Sequence, residues 1–165
     1  MRHKAMHSLG QGATEYLVLL AVVLIVALVS IALLGFFPGL ASDSRETQSA
    51  VYWKSSRPFA ILETGVFRSD RTPFPRIILV LQNIDATGTF TINNITLSTS
   101  AGEDVLRDVG SISPGETKSV RVPILQPISN AVGTEYEFNV RISYTSAYGT
   151  VNTQYGSKPI TGRWT

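Results

Sequence analysis

The chain has 165 residues, of which 44% are hydrophobic and only 16% charged, below the roughly 25% of an average soluble domain. It contains no cysteine, which excludes disulfides, thiolate nucleophiles and cysteine-ligated metals. Its formal charge of +2 leaves no footprint for nucleic acid: removing residues 1–10 takes Arg2 and Lys4 from the 14 basic residues and nothing from the 12 acidic ones, so the remainder is balanced.

Residues 1–10 are short, basic and free of acid. Residues 17–37 are then almost continuously apolar, broken only by Ser30 and Gly35. A helix of that length spans about 32 Å, the thickness of a bilayer core. Arg2 and Lys4 precede the run, while Asp43, Arg45 and Glu46 follow it. The positive-inside rule therefore places the N-terminus in the cytoplasm and the rest of the chain outside. An ordinary signal peptide has a shorter apolar region that ends in a small-residue cleavage site. This run instead ends in Phe36-Phe37-Pro38. A plain anchor, in turn, leaves Glu15 unexplained, because a carboxylate at the start of an apolar run is costly without a partner. The run has no polar stripe, which suits either lipid or the interior of a helix bundle. Gly35, Pro38 and Gly39 predict a kink or break near residues 34–39. Ser42, Asp43 and Ser44 are candidate caps for a second helical segment reaching about Lys54.

The stretch Gly10-Gln11-Gly12-Ala13-Thr14-Glu15-Tyr16-Leu17 resembles the class III signal peptide of archaeal type IV pilin-like proteins. The shared pattern is a basic leader, a Gly, Gln at the first mature position, Glu at the fifth, and an apolar helix behind them. Ala13 stands where the family often has Ser. The resemblance implies cleavage between Gly10 and Gln11 by a membrane-embedded prepilin peptidase, with the apolar helix kept on the mature protein. It also implies a helical homopolymer built by a pilus assembly platform, with the membrane as host before assembly. The new α-amine on Gln11 would pair with Glu15 of a neighbouring copy and set the axial stagger, since each charge alone is costly in an apolar interior. Cyclisation of Gln11 to pyroglutamate would remove that amine. Glu15 would then need a hydrogen-bond donor or a proton.

After Arg57-Pro58 the periodicity becomes that of strands. Tyr136, Phe138, Val140, Ile142 and Tyr144 alternate with polar residues, as in a strand with one wet face. Ile77 to Leu81 is apolar throughout, as in a central strand. The phase of Phe90 and Ile92 slips at Asn93-Asn94, which suggests a bulge or tight bend. Breakers at Thr72-Pro73, Ala86-Thr87-Gly88, Ser113-Pro114-Gly115 and Ala147-Tyr148-Gly149 punctuate the segment. Strands are expected at 59–68, 76–84, 89–99, 103–109, 117–124, 134–145, 149–155 and 158–164. The whole is thus an α+β chain: a leader (1–10), a long apolar helix with a kink (11–56) and an all-β immunoglobulin-like sandwich (57–165).

Catalytic signatures are missing. His3 and His7 both fall in the leader, so the mature chain would hold neither His nor Cys for a triad or an ordinary zinc site. No phosphate-binding loop or nucleophile elbow is found. No catalytic, cofactor or metal residue is assigned, and an enzyme is not expected. Glu103, Asp104 and Asp108, which could hold Ca²⁺, read better as a solvated loop. Glu135 and Glu137 read better as an exposed strand face. Asn94-Ile95-Thr96 is a glycosylation sequon. Tyr52 and Trp53 sit where the helix meets the sandwich and would fix its angle. Tyr148, in a turn, is the best single candidate for adhesive contact. The expected function is a subunit of an extracellular filament, membrane-bound as a precursor and then displayed on the surface for adhesion. The alternative is a single-span anchored binding protein, like an archaellum stator.

Overall fold

The computed structural model describes residues 7–69 and 72–165, apart from the side chains at 7–11, 35–40 and 72. By packing, the chain divides into two units, Met1–Asp43 and Ser44–Thr165.

The first unit is helical. Helix α1, His7–Ser55, has helical backbone at every residue, Gly35, Pro38 and Gly39 included. The expected interruption is therefore not a gap in the helix, and the side chains at Pro38 lie outside the described residues. A proline removes one backbone bond, and the turns on either side keep their own. Ser42, Asp43 and Ser44 are interior helical positions, not the caps of a second segment. Within α1, Gly12–Leu34 is long and apolar enough to cross a membrane, and none of it is buried. The one described hydroxyl between Leu17 and Leu34 is satisfied locally, because Ser30 Oγ donates to the carbonyl of Val26 at 2.7 Å.

The second unit holds eight strands: β1 (Phe59–Ser69), β2 (Thr72–Asn83), β3 (Phe90–Thr99), β4 (Gly102–Ile112), β5 (Thr117–Pro123), β6 (Glu135–Thr145), β7 (Val151–Tyr155) and β8 (Ile160–Arg163). They form two antiparallel sheets, one ordered β1-β2-β5 and one β4-β3-β6-β7, with β8 also on β6. With β1, β2 and β5 facing β3, β6 and β7, the order is that of an immunoglobulin-like sandwich. β7 and β8 together make one final strand. β7 pairs with residues 141–145 of β6 and β8 with residues 135–138.

Period-two patterning puts the core between the sheets. Ile77, Leu79 and Leu81 of β2 are fully buried against Ile92, Ile95 and Leu97 of β3 and Phe138 and Ile142 of β6. The slip expected at Asn93 is present: the pairing of β3 shifts between Ile92 and Asn94 against both neighbours. It brings Ile92 and Ile95 to the same side, and both are buried. At one end of the sandwich the buried Asn83 amide ties two turns together. Its Nδ2 donates to the carbonyls of Gly88 and Ile112, both at 3.0 Å, and its Oδ1 accepts from the Asp85 N–H at 3.0 Å.

Candidate functional site

The Gly10-Gln11 junction lies on helical backbone of α1. The side chain of Gln11 is outside the described residues. Glu15 stands one helical turn further on, inside the Gly12–Leu34 span, and is exposed. Among the described residues no ion pair engages it. The apolar side chains that follow are exposed around the helix, from Tyr16 at 65% to Leu34 at 69%. Chemically this is a long apolar surface with one acceptor at its edge, able to take a cation or a hydrogen-bond donor from outside the unit.

The last turns of α1, residues 44–55, belong to the sandwich unit. They dock on the break between β7 and β8, where Gly156-Ser157-Lys158-Pro159 leaves backbone groups unpaired by the sheet. Ser49 Oγ donates to the Pro159 carbonyl at 2.7 Å, and Trp53 Nε1 donates to the Lys158 carbonyl at 3.0 Å. The Ser157 N–H donates to the Tyr52 hydroxyl at 2.9 Å, and Lys158 Nζ donates to Gln48 Oε1 at 3.0 Å. Trp53 is buried in the core and meets Tyr52 edge-on at 5.2 Å. Its ring lies where a side chain on Gly156 would project, so only glycine fits there. Gln154 completes the joint: its amide accepts from Phe59 N–H at 3.0 Å and donates to the Phe59 carbonyl at 2.8 Å and to Ser56 Oγ at 2.7 Å. Burial pushes the Tyr52 phenol up, but its hydrogen bonds with Ser157 and Ser56 outweigh that and lower its pKa. The sequence marked Tyr52 and Trp53 as the junction. It missed Ser49, Gln154 and Gly156, for which the Gly-Ser-Lys-Pro interruption of the last strand was the available signal.

The other candidates stay apart. Asp104 is buried, with Oδ1 accepting from the Leu125 N–H at 3.0 Å and Oδ2 from Gln126 Nε2 at 2.9 Å. Glu103 pairs with Arg141 at 3.2 Å instead. Asp108 sits in the β4 irregularity with φ 55°. Among the described residues no group of His, Cys, Asp and Glu could hold a metal. Glu135 stands 4.0 Å from Arg163, and Glu137 lines an open cleft of about 400 Å³ with Arg45, Gln48, Ser49, Lys158, Pro159 and Thr161. Asn94 is half-buried in the middle of β3, paired on both sides, and the sequon's Thr96 is buried. Tyr148 is 86% exposed in the β6–β7 turn. Comparison of the chain with protein-family models, with curated proteins and with solved structures finds no match.

Proposed function

We propose that the chain is a structural subunit of a type IV pilus-like extracellular filament. The observation that carries this reading is a wholly exposed apolar helix with a single carboxylate, Glu15, at its start. Behind it stands a sandwich that already buries its own core and the foot of the same helix. Such a helix needs an outside partner along its whole length: lipid in the precursor, copies of itself in the fibre. Prepilin peptidase would cut between Gly10 and Gln11, and the assembly platform would move the helix from bilayer to fibre. The Gln11 amine of one copy would meet Glu15 of another. The role is structural and adhesive, not catalytic, with Tyr148 and the polar outer face of the five-stranded sheet turned outward. A glycan on Asn94 would stand on the outer face of β3, where the residue is half-buried.

A single-span anchored binding protein is the second reading. It is favoured by the match of the 23-residue span to one bilayer thickness. Glu15→Ala separates the two. Stranding one member of a buried pair costs about 3–5 kcal/mol, so fibre yield is expected to fall by more than about tenfold while membrane insertion is unchanged. Undiminished fibres overturn the role given to Glu15.

A further inference from the structure

The outer face of the three-stranded sheet gathers aromatic, aliphatic and arginine side chains at one end. Since Ile77, Leu79 and Leu81 of β2 point into the core, Phe74, Arg76, Ile78 and Val80 point out. The Ile124 N–H donates to the Pro75 carbonyl at 2.9 Å, which extends the β2–β5 ladder and sets Phe74 opposite Leu125. Both are exposed, at 49% and 59%. One step inward Arg76 pairs with Phe67, and the Arg121 guanidinium lies 4.5 Å over the Phe67 ring. Among the described outward residues of these strands the only acid is Glu63, at the level of Val80 and away from the Phe74 end. The opposite sheet also exposes Val105, Val151, Tyr155 and Arg107 on its outer face, but these stand among Ser, Thr and Asn, and there Glu103 pairs with Arg141.

Guanidinium groups among aromatic and aliphatic side chains are the chemistry of a lipid–water interface. The positive charge is complementary to anionic headgroups, and only residues 35–43 separate the apolar span from Ser44, where the sandwich unit begins. A chain of that length reaches at most about 30 Å, so a bilayer holding the span lies within reach of this unit. We propose that Phe67, Phe74, Arg76, Arg121 and Leu125 form a docking surface for anionic lipid, used while the chain is membrane-bound. The proposal rests on bilayer insertion of the span, which the fibre and anchor readings share, and not on fibre assembly.

The chain has no cysteine, so a single introduced one can be labelled uniquely. Full-length Leu125→Cys and, as the control at the other end of the sandwich, Tyr148→Cys are labelled with an environment-sensitive fluorophore. They are reconstituted in vesicles of neutral or anionic phospholipid carrying a headgroup quencher. Quenching is expected at position 125 and not at 148, in anionic vesicles only. It should be lost in Arg76→Gln/Arg121→Gln and in ~1 M salt, where the screening length falls to about 3 Å. Equal quenching at both positions, or none at 125, overturns the proposal. Quenching at 125 that is indifferent to lipid charge, with disulfide formation between unlabelled copies of the Leu125→Cys variant, assigns the face to a second copy and also overturns it. A carbonate wash distinguishes the underlying failure: a chain that washes off the vesicles refutes the membrane span itself.

Discussion

The two ends of α1 make opposite use of the same helical backbone. From Gly12 to Leu34 its apolar side chains are exposed, whereas in residues 44–55 Trp53 is 1% and Ser49 6% exposed. The foot has few apolar residues, and one of them, Trp53, is placed against strands that leave a gap for it, while Val51 stays exposed. The span has many and no protein around them. Hydrophobicity along a helix therefore does not identify the part that stabilises the fold. Here the most apolar stretch adds nothing to the sandwich core, and a polar stretch with one tryptophan is part of it.

Substitutions at the two ends test that contrast. Trp53→Ala is expected to destabilise the sandwich by about 3–5 kcal/mol, the usual cost of emptying a buried aromatic site, measured by thermal unfolding in micelles. Val23→Ala, in the span, should leave the same transition within about 0.5 kcal/mol. Equal shifts would erase the distinction. Leu24→Arg should act the other way round, opposing bilayer insertion by about 3 kcal/mol in a glycosylation-mapping assay while the sandwich unfolds as before. Gly156→Ala forces a methyl group towards the Trp53 ring and should cost about 1–3 kcal/mol, recovered in part when Trp53 is replaced by Leu.

The smallest effect is with pH. Burial raises the pKa of Tyr136; a hydrogen bond from Thr64 lowers it and the foot carboxylate Glu46 raises it again. A raised folded value gives stability that is complete below the unfolded pKa near 10 and is lost as pH rises through the folded value. Tyr52, with its value lowered, works in the opposite sense. Above about pH 10 Tyr136 lowers the unfolding temperature and Tyr52 opposes it. Relative to the parent chain, Tyr136→Phe should hold its unfolding temperature better as pH rises and Tyr52→Phe worse.

The sandwich was legible because its strands alternate. β6 shows Tyr136, Phe138, Val140 and Ile142 inward and polar residues outward, and half-buried strands leave that trace in any sequence. The slip at Asn93 was visible for the same reason. The course of α1 was less legible. Pro38 read as a kink or break and Ser42-Asp43-Ser44 as a start, since local propensity cannot register that the turns on both sides continue. The joint was legible only in its aromatics. Ser49 and Gln154 act through contacts with residues 110 and 95 positions away, and no local pattern announces those. Glu15 was conspicuous in sequence as a charge out of place, and the helix leaves it exposed at the head of the span.

On the proposed function, the helix is a membrane span first and a fibre core afterwards. Mass spectrometry of the N-terminus on sheared surface material tests it most directly. A chain beginning at Gln11, free or as pyroglutamate, is expected in fibres. A chain with residues 1–10 intact, confined to the membrane fraction, would contradict it.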